Sequence, residues 1–145
     1  MRSIVELDIA APRDRVATLF ADPEQSTKWM HDIARYEPVS GEFGRPGFTY
    51  RLVPKEGDMV FTATIVAFDL PSEARLTLTA RNVRVDVTGR FRAIDPKNTR
   101  LTSEEIFTFE GMIGKLMGFF ARGAIRTAHR RHMDAFKDLV ESTAR

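Results

Sequence analysis

No cysteine occurs in the 145-residue chain. Disulfides, thiolate catalysis and cysteine-based zinc sites are therefore excluded. Polar aromatics are scarce, with two Tyr and one Trp against eleven Phe. That is apolar bulk suited to a core or a greasy cavity. Neither sign of charge dominates, and the net charge is only +2. A strong electrostatic attraction to nucleic acid is not indicated, and no nucleic-acid partner is expected. Long hydrophobic runs are missing too. No segment approaches the roughly 20 apolar residues of a membrane span, and MRSIVELDIAAP lacks the apolar stretch of a signal peptide. The expectation is a cytoplasmic protein forming a single domain over residues 1–145.

What is present is a substantial apolar fraction, 43% of the residues, enough for a real core. Ser3 to Ile9 alternates, with Val5, Leu7 and Ile9 on one face and Glu6 and Asp8 on the other, as in a half-buried strand. In AAPRDRVATLFADPE, Pro12 suits a first helical turn, and Val16, Leu19 and Phe20 fall at helical spacing. Asp22-Pro23 ends that helix and opens a short second one through Trp29. From Ile33 to Glu110 short alternating runs follow one another. They are separated by GEFGRPG, PKEGD, LPSE and IDPKN, all of turn composition. Tight links favour antiparallel neighbours.

Beyond Gly111 the pattern becomes helical and free of proline to Thr143, roughly 45 Å of helix. Gly114, Gly118 and Gly123 predict a kink or loose turn in its first third. The segment is basic, with Lys115, Arg122, Arg126, Arg130, Arg131, Lys137 and Arg145 against Asp134, Asp138 and Glu141. The fold class is α+β: a curved antiparallel sheet of about seven strands, two short helices after strand 1, and a long C-terminal helix over the concave face.

At this point the chain resembles the START-like superfamily, also called SRPBCC, whose helix-grip fold is shared with a birch pollen allergen. The pieces that carry the resemblance are ELDIAAPRDRVATLFADPEQSTKWM, SGEFGRPGFTYRL, ATIVAFDLPSEARLTL, GRFRAIDPKNTRLTSEEIFTF and AFKDLVES. They run in order along the whole chain. Bacterial members are often described as polyketide cyclase/dehydrase or lipid transport proteins. The resemblance implies a hydrophobic cavity between sheet and long helix, entered near that helix's N-terminal part. It brings no universal catalytic motif, since one fold hosts carriers, sensors and enzymes.

Alternation along the strands predicts the cavity face: Phe48, Tyr50 and Leu52; Phe61, Ala63 and Ile65; Leu76, Leu78, Val85, Val87 and Phe91; then Ser103, Glu105 and Phe107. Glu105 is the exception there, because burying an unpartnered carboxylate is costly and favours its protonated form. Three roles compete: a polar handle or acid–base group, a structural partner of Tyr50, Arg51 or a helix residue, or a solvated group at the mouth. Glu104 faces outward by parity and reads as solvated. His132, in register with Ile125, Ala128 and Phe136, is expected to face inward, as a satisfied core histidine or as a partner of Glu105 in a buried acid–imidazole pair. HRRH offers two imidazoles without a third ligand, so no metal site and no cofactor are expected. His31 reads as a surface residue, and GEFGRPG as a hairpin connection with Phe43 and Arg45 as gate residues.

The ligand-lining set expected from these readings is Trp29, Phe48, Tyr50, Phe61, Ile65, Leu78, Val85, Val87, Glu105, Phe107, Met117 and Phe120. Glu105, His132 and Tyr50 are the candidates for catalysis. The leading expectation is binding or transport of a small hydrophobic ligand, a lipid, isoprenoid or polyketide-like compound. The alternatives are a cyclase/dehydratase-type enzyme using Glu105 with His132 or Tyr50, and a membrane- or protein-docking module through Met112–Phe120, where six large apolar residues sit among glycines and cations. Monomer and homodimer both fit, and a transient membrane-surface contact is a further expected partner.

Overall fold

A computed structural model describes residues 1–143; Arg145, counted above with the basic tail, lies outside the described residues. The elements run β1 (Arg2–Ile9), α1 (Arg13–Ala21), a 3-10 turn (Pro23–Gln25), α2 (Ser26–Trp29), β2 (Ile33–Ser40), β3 (Thr49–Pro54), β4 (Phe61–Asp69), β5 (Glu73–Ala80), β6 (Val83–Asp95), β7 (Asn98–Phe109) and α3 (Gly111–Thr143). The seven strands form one antiparallel sheet in the order β1-β7-β6-β5-β4-β3-β2. Consecutive strands from β2 to β7 are neighbours because their connections are short turns. β1 closes the far edge against β7, with Ser3 opposite Glu105 and Val5 opposite Ser103. The fold is the α+β helix-grip arrangement that the sequence predicts.

Strict alternation in β1 makes Val5, Leu7 and Ile9 buried and Glu6 and Asp8 exposed, the signature of a sheet with one covered face. Those side chains join Val16, Ala17, Phe20, Trp29, Phe91, Met133, Phe136 and Val140 in one buried cluster. The cover consists of α1, α2 and α3, with α3 packed on β1, β7, α1 and α2. Phe20 forms edge-on contacts with Phe91 and Phe136, ring centres 5.4 and 5.6 Å apart. Gly89 makes room for it, because a Cβ there would lie 2.7 Å from the Phe20 ring. The end of α3 is tied to β1 by Lys137 Nζ, which donates to the Asp8 carbonyl at 2.8 Å, and by Glu141, which accepts from the Ala10 amide at 2.8 Å.

Two expectations are corrected. The three glycines do not break α3, whose helical assignment is continuous from Gly111 to Thr143. Instead Gly118 permits close approach: a Cβ there would lie 2.4 Å from the Phe109 ring. Gly114 and Gly118 are therefore the buried positions of the first turns, and the large apolar residues between them point away. Glu104 is on the outward parity but is 7% exposed rather than solvated. Arg2 Nε donates to its Oε2 at 2.7 Å, and that charged partner offsets the desolvation of the carboxylate.

Candidate functional site

β7 turns Ser103 and Glu105 to the covered face, and β1 brings Ser3 beside them. α3 lowers His129 onto all three. Ser3 Oγ lies 2.7 Å from His129 Nδ1, and Ser103 Oγ lies 2.9 Å from Nε2. Each imidazole nitrogen thus has a hydroxyl that can either donate or accept, so the neutral ring is satisfied in both tautomers. Glu105 Oε1 stands 3.7 Å from Nδ1, beyond hydrogen-bond range. Burial pushes Glu105 up to about 7. Burial, with a smaller contribution from the nearby His132 charge, pulls His129 down to about 4. Between those two values both groups are uncharged, which is the state a poorly solvated pair favours. The Glu105 side chain keeps 19% of its exposure and has no hydrogen-bond partner among the described residues.

The inward placement of His132, and with it a pairing with Glu105, is corrected. His132 Nε2 lies 2.9 Å from Asp32 Oδ1, at the rim, while His129 is 1% exposed. The buried line of α3 runs through Gly114, Gly118, His129, Met133, Phe136 and Val140. Ile125 and Ala128, used to set the register, are only half-buried. A pairing of Glu105 with Tyr50 is corrected as well. β6, β5 and β4 separate β7 from β3, a separation of roughly 19 Å along the sheet at 4.8 Å per strand.

Of the predicted lining residues, Trp29, Phe48, Tyr50, Ile65, Leu78, Val85 and Val87 are buried, and Phe61 and Phe107 are half-buried against them. Phe48 stacks on Tyr50 at 5.6 Å, and Tyr36 meets Tyr50 edge-on at 5.6 Å. Burial pushes the Tyr50 phenol well above its ordinary value, so its hydroxyl stays protonated. Trp29 Nε1 is buried without a hydrogen-bond partner among the described residues, an orphaned donor that sequence reasoning could not foresee. Met117 and Phe120 do not join this group; they are 54% and 76% exposed on the outer side of α3. Phe43 is exposed and meets Phe48 edge-on at 5.5 Å, and Arg45 pairs with Glu42 at 3.3 Å. His31 is exposed. Three surface cavities, of about 640, 400 and 370 Å³, are lined by other residues, except that the smallest includes Phe107. Among the described residues, no three His, Asp or Glu side chains are grouped to hold a metal ion, and no helix is long and apolar enough to cross a membrane.

A family model described as polyketide cyclase / dehydrase and lipid transport matches residues 3–141. Among solved structures the chain is similar to TTHA0849 from Thermus thermophilus, at 16% identity and TM-score 0.79 over 100% of both chains. It is similar to the Zhui aromatase/cyclase from Streptomyces sp. R1128, at 19% identity and TM-score 0.75, over 99% of this chain and 93% of that one. It is also similar to a START superfamily protein from Mycobacterium smegmatis, at 13% identity and TM-score 0.73, over 99% of this chain and 96% of that one. At such identities the likeness is one of fold. No curated protein sequence matches the chain.

Proposed function

The chain belongs to the polyketide cyclase / dehydrase and lipid transport family, and from that premise we propose that it binds a small hydrophobic molecule carrying one polar group. The ligand is a lipid, isoprenoid or polyketide-like compound held on the concave face. The observation that carries this reading is the Glu105 carboxyl, which has no hydrogen-bond partner among the described residues and stands beside the Ser3–His129–Ser103 cluster on a mostly apolar face. The Glu105 side chain keeps 19% of its exposure, which leaves the carboxyl within reach of a ligand hydroxyl or carbonyl, and such a hydrogen bond contributes roughly 0.5–1.5 kcal/mol. Burial raises the Glu105 pKa to about 7, so near neutrality the carboxyl can both donate to a carbonyl and accept from a hydroxyl. The orphaned Trp29 Nε1 is a second donor with the same need. Phe48, Tyr50, Ile65, Leu78, Val85 and Val87 are already buried, so the affinity comes from the ligand's own apolar surface leaving water as it enters among them, at about 25 cal/mol per Å². Phe43 over Phe48 forms the gate.

A second reading has its own support in the opposed shifts of Glu105 and His129. A carboxyl with a pKa near neutrality, beside a neutral imidazole anchored by two serines, fits proton transfer at an enolisable ketone. Replacement Glu105→Gln separates the two. A carrier keeps most of its affinity for a lipid and polyketide panel read by thermal shift. An enzyme keeps binding and loses turnover. Failure of wild-type protein to respond to any of the panel counts against both readings.

A further inference from the structure

The first turns of α3 carry a feature that the concave face does not use. Met112, Ile113, Leu116, Met117, Phe119 and Phe120 are 89%, 71%, 59%, 54%, 57% and 76% exposed. At 100° per residue they span less than half the helix circumference, centred opposite Gly114 and Gly118. Those glycines seat the helix against Asn82 and Phe109, so the large side chains are turned away by the packing itself. Six contiguous side chains of this size form a patch larger than scattered surface apolar residues explain.

Charge identifies what covers it. From Gly111 to Met133 the helix has Lys115, Arg122, Arg126, Arg130 and Arg131 and no Asp or Glu. Arg130 is paired with Asp134 at 3.3 Å. Lys115 and Arg126 have no carboxylate partner among the described residues. Arg122 lies over the Phe119 ring, 4.4 Å from its centre, and donates to the Phe119 carbonyl at 3.2 Å. At the foot of the patch a groove of about 370 Å³ is lined by Phe107, Phe109, Phe119, Lys115 and Arg122. An apolar face bordered by unpaired cations, with a cation-lined groove beside it, is complementary to an anionic lipid surface. A second copy seated face to face would instead bring like charges together.

We infer that the first three turns of α3 dock on an anionic lipid surface, with the Phe side chains in the acyl boundary and the Lys115–Arg122 groove against a headgroup phosphate. This goes beyond ligand binding on the concave face. It gives the protein a fixed point of contact with a membrane whether or not that face is occupied.

The test is co-sedimentation of the full chain with phosphatidylcholine vesicles, with and without phosphatidylglycerol. Variants Leu116→Glu, Phe120→Glu, Lys115→Glu and Arg122→Glu change exposed positions, and circular dichroism checks that each folds. Binding to the phosphatidylglycerol vesicles, weakened by salt, lost in Leu116→Glu and Phe120→Glu, and reduced about fivefold or more by each cation reversal, is the expected result. The inference is overturned by absence of binding to anionic vesicles, by equal binding to both vesicle types, or by variants that bind as wild type. A dimer in analytical ultracentrifugation that Leu116→Glu dissolves, without vesicle binding, assigns the face to a second copy and overturns it too.

Discussion

Glu105 and His129 carry opposite pH dependences in one contact. Glu105 is raised from its ordinary value of 4.5 to about 7. Between those values the folded protein holds a proton that the unfolded chain has lost, so stability falls as pH rises through that window. His129 is lowered from 6.5 to about 4. Between those values the unfolded chain holds the extra proton, so stability rises with pH there. From about 4.5 to 6.5 the two slopes oppose, and above 6.5 only Glu105 remains. Glu105→Gln removes the Glu105 slope. The variant is therefore expected to match or fall below wild type near pH 5 and to exceed it near pH 8, with a change on the order of 1–3 kcal/mol. Melting temperature against pH for both proteins measures this, and a pH-independent gap contradicts the assignment. Ser103→Ala deprives His129 Nε2 of its 2.9 Å partner. It is expected to cost about 1–3 kcal/mol in urea unfolding; a cost near zero would mean that the hydroxyl is dispensable.

Among the elements, α3 is the most instructive, because its glycines do unlike things. Gly118 sits against Phe109, so Gly118→Ala must displace the ring or lift the helix. A loss of roughly 1–3 kcal/mol is expected. A Cβ at Gly123 meets nothing within 4 Å, so Gly123→Ala is expected to gain up to about 1 kcal/mol from helix propensity alone. Chemical denaturation of the two variants checks the pair, and the same sign for both would contradict the seating described here. The strands were legible because a period of two has only two phases: Val5, Leu7 and Ile9, or Val85 and Val87, admit one facing. Glu105 was legible as the carboxylate of that face. The helix was less so. His129 and His132 differ by about 60° around the axis, and half-buried Ile125 and Ala128 blurred the choice. Gly114 and Gly118 carried the missing signal, since small residues four apart mark a close approach as readily as a kink. Glu104 was misread because parity says nothing of Arg2, whose cover depends on β1 pairing with β7 across the whole chain.

Across the whole molecule the sheet, α1, α2 and α3 enclose one apolar cluster, in which Trp29 Nε1 is buried with no hydrogen-bond partner among the described residues. Phe136 is 0% exposed and touches both Phe20 and Trp29. Phe136→Ala is expected to cost about 3–5 kcal/mol in thermal or urea unfolding, because it opens the junction between the helices and the sheet. A cost below about 1 kcal/mol would mean that the junction is already hollow.

The most direct measurement of ligand binding is native mass spectrometry of the purified protein, with organic extraction and identification of whatever is released. A stoichiometric hydrophobic adduct bearing one hydroxyl or carbonyl, held more weakly by a Glu105→Leu variant that still folds, is the predicted result. A protein that is empty as purified and takes up no member of a lipid and polyketide panel under the same conditions would contradict it.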